Sequence, residues 1–151
     1  MLQFHYIHHA CFTLSDGKTT LLFDPYLEGN PEGLKPEDVA ADVIFISHYH
    51  GDHLGSAYEI AKKQDALIIS TAEIANDAAQ HGLRSHAMHL GGTHQFPFGR
   101  VRVTPAFHGS GIAGGHACGF MVEFGGKTVY FAGDTSVFGD MALLPRLETI
   151  D

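Results

Sequence analysis

Residues Asp42-Val43-Ile44-Phe45-Ile46-Ser47 run without a break into His48-Tyr49-His50-Gly51-Asp52-His53-Leu54-Gly55. The first part, a continuous apolar run bounded by polar residues, has the pattern of a strand buried on both faces. That strand delivers its C-terminal end straight into a segment where His48, His50, Asp52 and His53 are all able to bind a metal. Imidazole nitrogen and carboxylate oxygen suit Zn²⁺ and similar divalent ions. A turn just past a strand aims several side chains inward, and Gly51 and Gly55 permit tight backbone paths. The motif holds too many ligands for one tetrahedral ion and too few for two, so partners are expected elsewhere in the chain.

Working outward, two candidates stand in the same kind of place, the C-terminal end of a predicted strand. His108 follows Val103-Thr104-Pro105-Ala106-Phe107, and Asp134 follows Tyr130-Phe131-Ala132-Gly133. Loops at strand ends are where layered α/β folds collect functional groups. Upstream, residues 2–7, 11–15 and 19–24 are expected as short strands, the last two joined by the turn sequence Ser15-Asp16-Gly17-Lys18. A Pro/Gly-rich loop from Pro25 to Pro36 then leads to a short helical turn at residues 36–40. Downstream, the pattern predicts a helix over 54–64, a strand over 66–70 and a second helix over 71–81 closed by Gly82. After 85–90 it becomes all-β: 99–107, then 119–124 and 128–132 around a Gly125-Gly126 hairpin. A last helix over 138–147 is expected to be interrupted or bent at Pro145. Strands, helices and hairpins mix with no linker and no repeat, which is the mark of one α/β (or α+β) domain with layered sheets.

The whole chain has 151 residues, of which 44% are hydrophobic, a size at which a single core holds without disulfides. No apolar run approaches the length of a membrane helix, and the opening Met1-Leu2-Gln3-Phe4-His5 lacks the signature of a signal peptide, so a cytoplasmic location is expected. The net charge of −8 opposes the phosphate-driven binding on which nucleic-acid proteins rely. Cys11 and Cys118 are too few for a disulfide framework and sit in apolar, strand-like contexts as small buried thiols. The anomaly is twelve His. His5, His8, His81, His86 and His89 fall on predicted strands or at a helix end and need no special role, and Phe23, Phe45 and Phe107 are expected in the core.

His48-Tyr49-His50-Gly51-Asp52-His53, with His108 in a His-Gly-Ser context and Asp134 in Gly-Asp-Thr, resembles the metallo-β-lactamase fold superfamily. The opening Tyr6-Ile7-His8-His9-Ala10-Cys11-Phe12 and the stretch Leu22-Phe23-Asp24-Pro25 resemble more narrowly its branch of small metal-dependent hydrolases related to ascorbate-6-phosphate lactonases. The resemblance implies an αββα sandwich and two divalent ions, Zn first, with Mn or Fe as alternatives. It makes His48, His50 and His108 the ligands of one ion. Asp52 and His53 contribute to the other, and Asp134 bridges both. Asp24 becomes a hydrogen-bonding brace of the metal loop and His9 a neighbour of the site mouth, while His116, next to the glycine-rich stretch 109–115, is expected near the substrate from that position.

The resemblance also implies a further His from a later strand and loop. By that comparison the chain is expected to be a C-terminally incomplete form of a larger domain, or a short form that completes its sheet in a homo-oligomer or swapped dimer. His94 and His116 are the candidates within the chain for the outstanding ligand. The implied chemistry is hydrolysis of a lactone, ester or phosphodiester in a small or lipid-like anionic substrate, by water activated on the ions, with Asp52 orienting that water or taking its proton. Two alternatives stand beside it: a metal-binding but catalytically incomplete module, and a nuclease of the same superfamily.

Overall fold

The apolar run forms strand β4 (Val43–Phe45) in the interior of a six-stranded sheet, in a computed structural model that describes residues 1–151. The other members are β1 (Gln3–His8), β2 (Cys11–Ser15), β3 (Thr20–Phe23), β5 (Leu67–Thr71) and β6 (Ser85–Met88), ordered β1 to β6 across the sheet. β1, β2 and β3 pair antiparallel, whereas β3, β4, β5 and β6 pair parallel. The Asp16 carboxylate closes the β2–β3 turn by accepting from the backbone N–H groups of Lys18 and Thr19, both at 2.8 Å. Parallel neighbours need crossovers, and these are helical. Helices α1 (Gly51–Leu54) and α2 (Ala57–Gln64) join β4 to β5, and α3 (Ala72–Gln80) joins β5 to β6.

A second sheet holds β7 (Thr93–Phe96), β8 (Gly99–Pro105), β9 (Cys118–Phe124) and β10 (Lys127–Phe131), antiparallel throughout and ordered β10-β9-β8-β7. Strand alternation then builds two cores. Ile44 and Ile46 join Ile60 of α2 and Ile74 of α3 in the core between the first sheet and its helices. Val43 and Phe45 face the other way, onto Val101, Val103, Phe120 and Val122 of the second sheet. Inside this sheet-to-sheet core Phe12, Phe23 and Phe45 stack in a row at 4.4 and 4.6 Å, with Phe120 edge-on to Phe45 at 5.1 Å. A 3-10 helix (Gly139–Leu143) and α4 (Leu144–Leu147) complete the chain. They are tied to the second sheet by Arg102 of β8, which donates to Glu148 at 2.8 Å. Both cysteines are buried free thiols, and burial pushes Cys11 up to about 12.

The structure corrects the sequence reading at several points. Residues 36–40 form no helix, only a turn in which Asp38 caps the Lys35 N–H at 2.9 Å. The helix expected over 54–64 starts earlier, at Gly51, and is cut at Gly55, where φ is +45°. A Cβ at Gly55 would lie 2.4 Å from the Pro25 carbonyl oxygen, so only glycine admits that approach. Strand β7 went unseen because Thr-His-Gln-Phe offers a single buried apolar residue, Phe96. Pro145 does not bend a long helix but stands in the first turn of a short one. Phe107 is not core: it lies past the end of β8, is 64% exposed and packs on Phe138.

Direction is what matters for function. β1, β3 and β4 run the same way, so the residues that follow them, His9, Asp24 and His48, emerge at one edge of the first sheet. β8 and β10 are both antiparallel to β9, so His108 and Asp134 emerge together from the second sheet. The two edges meet where Cys118 N–H donates to the Ser47 carbonyl at 3.0 Å. Phe23, fully buried between Phe12 and Phe45, is the keystone of the sheet-to-sheet core. Phe23→Ala is expected to lower unfolding stability by about 3–5 kcal/mol, measured by urea denaturation, with no change in slope if the native fold is retained.

Candidate metal centre

The site is built around a buried carboxylate. Asp24, with no exposed surface, follows β3 and precedes Pro25 with φ of +37°, a conformation costly for a residue with a Cβ. Its Oδ1 accepts the Ser47 N–H at 2.7 Å, and its Oδ2 accepts both the Ser47 hydroxyl at 2.5 Å and His53 Nδ1 at 2.7 Å. Because the Ser47 hydroxyl donates to Asp24, its oxygen accepts from His48 Nδ1 at 2.9 Å. Both histidines are therefore held with Nδ1 occupied and Nε2 turned to the cavity. The Nε2 atoms of His48 and His53 are buried with no hydrogen-bond partner. Orphaned buried nitrogens are costly, and a pair of them facing one space is what a metal ion would satisfy.

Two donor groups converge there. His48, His50 and His108 place one nitrogen each within 4.8 Å of one another, and His9, Asp52 and His53 do the same with their nitrogens and carboxylate. Asp134 stands between the groups, its Oδ2 3.3 Å from His53 Nε2 and 3.6 Å from His108 Nε2. A third geometric grouping, Asp24 with His48 and His53, is not a ligand set, because both Asp24 oxygens are consumed by the bonds just described. The outer side is open: side-chain exposure is 50% at Asp52, 41% at Asp134 and 36% at His108, whereas His53 is fully covered.

Electrostatics fits a neutral imidazole at His48. Burial, reinforced by the neighbouring His53 and His50, lowers His48 to about 4, so its Nε2 lone pair is free near neutral pH. Burial raises the Asp24 carboxyl, against the bonds from His53 and Ser47. Burial alone would lower His53, but the Asp24 bond and charge outweigh it and hold it raised. At Asp52 burial is the largest single effect and raises the carboxyl, but a bond from its own backbone and the neighbouring His53, His9 and His48 together outweigh it and leave the carboxyl lowered.

Loops that the motif itself did not reveal hold the centre in place. Tyr49, between the two first histidines, donates to Asp77 of α3 at 2.8 Å, and Tyr58 of α2 donates to the same oxygen at 2.7 Å. The Tyr49 N–H is taken by the Ser110 carbonyl at 2.7 Å, which docks the Gly109–Gly115 loop on the metal loop. A Cβ at Gly133 would meet the Cys118 carbonyl oxygen at 2.7 Å and Ser47 Cβ at 2.9 Å, so glycine lets the end of β10 approach Ser47. Of the sequence-predicted residues, Asp24, His48, His50, Asp52, His53, His108 and Asp134 are brought together, and His9 joins them. His116 is exposed and stands outside both donor groups, its carbonyl accepting from Thr71 at 3.4 Å. His94 is elsewhere, on β7, packed against His86 at 4.4 Å. Ser47 and the Tyr49–Asp77–Tyr58 knot were missed; the only signal for Ser47 was its place directly before His48.

Comparison with known proteins points the same way. The profile of the Beta-lactamase superfamily domain matches residues 19–151. A UPF0173 metal-dependent hydrolase of Natranaerobius thermophilus is 54% identical over 151 residues, covering 99% of this chain and 68% of that protein. Its counterpart in Heliobacterium modesticaldum is 49% identical over 152 residues, covering 95% and 64%. Among solved structures, Igni18, a metallo hydrolase from the hyperthermophilic archaeon Ignicoccus hospitalis, superposes with a TM-score of 0.89 at 29% identity, covering 99% of this chain and 67% of that one. The chain spans about two thirds of the length of these proteins.

Asp24→Asn tests the brace. An amide cannot accept from Ser47 N–H, Ser47 hydroxyl and His53 Nδ1 together, so both rings lose their fixed orientation. Metal affinity is expected to fall about 10- to 100-fold in equilibrium titration. Unchanged affinity would show that the knot does not orient the ligands.

Proposed function

The chain belongs to the beta-lactamase superfamily, among its UPF0173 metal-dependent hydrolases, and from that premise we propose that it hydrolyses a lactone, ester or phosphodiester in a small or lipid-like anionic substrate. The observation that carries this reading is the pair of buried, unpartnered Nε2 atoms of His48 and His53 facing an open cleft with two half-exposed carboxylates. In this reading His48, His50 and His108 hold one ion, Asp52 and His53 hold a second, and Asp134 serves both. Zn²⁺ is the leading identity on the His/Asp donor set, with Mn²⁺ or Fe²⁺ as alternatives. Such ions supply an acidified water and a Lewis acid for the attacked carbonyl or phosphoryl oxygen.

The chain's own residues do the rest. Ser47 and Asp24 keep the imidazoles in one tautomer, so the donor atoms need no reorganisation when substrate arrives. Asp52 is half-exposed and stands beside His53 at the open side of the cleft, a position from which it can orient an attacking water and accept its proton at a carboxylate oxygen. No covalent intermediate with the protein is required. The net charge of −8 does not conflict with an anionic substrate, because bound cations dominate the local field. A nuclease is disfavoured, since the chain carries nine Lys and Arg against 17 Asp and Glu. Two free buried thiols suit a reducing compartment such as the cytoplasm.

Removing metal with a chelator is expected to abolish turnover across a panel of lactones, esters and phosphodiesters, and re-adding Zn²⁺ or Mn²⁺ to restore it. His48→Ala and Asp134→Asn should each reduce kcat/KM by more than about 100-fold and lower metal content on elemental analysis. Full metal content in both variants would sink the ligand assignment.

A further inference from the structure

Away from the metal centre, histidine gathers a second time at the seam between the two sheets. β6 is the last strand of the first sheet and β7 the last of the second, and only residues 89–92 join them. His86 stands opposite Ile69 on β6, and His94 stands opposite Val101 on β7. The two rings meet across the seam with centroids 4.4 Å apart, and both pack on Phe96, at 4.9 and 4.5 Å. His89 lines the same surface cavity, of about 240 Å³. The connection is tight: Gly92 N–H donates to the His89 carbonyl at 2.9 Å, and a Cβ at Gly92 would stand 2.9 Å from that oxygen. A short glycine turn therefore holds the two strand edges, and the two rings, in one place.

Aromatic packing on Phe96 accounts for the contact but not for its chemistry. The polar neighbours are engaged elsewhere: the Ser85 hydroxyl donates to the Ala75 carbonyl at 2.7 Å, and the Gln95 amide donates to the Phe96 carbonyl at 3.2 Å. No carboxylate offsets the pair. Burial and the neighbouring His94 both push His86 down, which leaves it a free lone pair near neutral pH. Spacing then favours a shared ligand. Two imidazoles that bind one divalent ion through nitrogens about 2.0–2.1 Å away stand roughly 4.5–5 Å apart between ring centres. The rings of His48, His50 and His108 are 4.6, 4.9 and 5.2 Å apart, and the His86–His94 pair comes close to that range while belonging to none of the donor groups of the centre. We propose that His86 and His94 form a separate two-imidazole site for a borderline divalent cation (Zn²⁺, Ni²⁺ or Cu²⁺), which clips the edge of the first sheet to the edge of the second, with water completing its coordination. Nitrogen donors without a carboxylate select such ions over Mg²⁺ or Ca²⁺. The clip requires neither occupation of the main centre nor its hydrolytic role.

The test uses the full chain labelled with nitrogen-15, stripped of metal and titrated with Zn²⁺ near neutral pH, while two-bond proton–nitrogen spectra follow each histidine ring separately. The ring nitrogens of His86 and His94 are expected to reach metal-bound positions together, with one apparent Kd. Two donors held on one scaffold bind about 10²- to 10⁴-fold more tightly than one, so His94→Gln should weaken Zn²⁺ binding at His86 by about 100-fold or more. The rings of His48, His50 and His108 should respond in that variant as they do in the wild type. Unchanged Zn²⁺ binding at His86 in His94→Gln overturns the proposal. Wild-type spectra in which His86 and His94 titrate with protons but not with Zn²⁺ overturn it without reference to any variant. Zn²⁺ bound at His86 and His94 but not at His48, His50 and His108 would uphold the clip and overturn the reading of the main centre.

Discussion

The hydrogen bonds that converge on the buried Asp24 carboxylate are the constraint on which the site depends. One side chain at the end of β3 accepts the backbone and hydroxyl of Ser47 at the end of β4 and Nδ1 of His53 in α1. It thereby sets the distance between two strand ends and a helix while choosing the tautomer of a histidine. Ser47 passes the same instruction to His48. A carboxylate without solvent is expensive to bury, and this one tolerates it only because its two oxygens meet three donors. The backbone accepts a second cost, φ of +37° at Asp24 immediately before Pro25. Costs of both kinds collect where the fold is organised around chemistry and not around its own stability.

Strand direction explains why residues so far apart in sequence meet. Three parallel members of the first sheet and two of the second end at one rim, so residues 9, 24, 48, 108 and 134 are neighbours by topology before any side chain is placed. The sheet-to-sheet core, with its row of stacked phenylalanines, fixes the rims against each other. Two glycines then close the remaining gaps. Gly55 lets the loop after β3 touch the metal loop, and Gly133 lets the end of β10 touch Ser47. Neither contact leaves room for a Cβ, which makes these glycines part of the site although they carry no donor.

The histidine-rich segment and the central strand were legible in sequence because both signals are local: consecutive apolar residues, then candidate ligands at 48, 50, 52 and 53. The β2–β3 and β9–β10 hairpins announced themselves through Asp16-Gly17 and Gly125-Gly126. What escaped was non-local. Strand β7 has one buried apolar residue, and its existence depends on an edge of β8 that only the folded chain supplies. The break at Gly55 reflects the approach of Pro25, thirty positions upstream, not any helix-breaking preference of its own segment. Nothing in the sequence marks a role for Tyr49 between His48 and His50; that role appears only when α3 brings Asp77 to its hydroxyl. His9 was visible as a residue of the site mouth, but its contact with Asp52 needs a left-handed turn that sequence does not encode in a recognisable way.

The charge of the centre argues for its purpose independently of any relative. Asp52 and Asp134 lie half-exposed at the same cleft, on a chain that already carries a net charge of −8, and their ion-pair partners are all histidines, none a Lys or Arg. Like charges so placed repel unless a cation or protonated imidazoles lie between them. Protonation is a poor answer at His48, which burial and neighbouring histidines hold well below its ordinary value. Hydrogen bonding is no answer either, since the buried nitrogens of His48 and His53 find no donor or acceptor within the protein. Divalent cations meet all three demands at once: they neutralise the carboxylates, occupy the orphaned lone pairs and require the deprotonated rings that burial already favours at His48. Binding that satisfies groups the folded chain leaves unsatisfied also adds directly to the stability of that fold. Occupation of the centre and integrity of the rim that forms it are therefore one equilibrium, with Asp24 as the residue through which the two are joined.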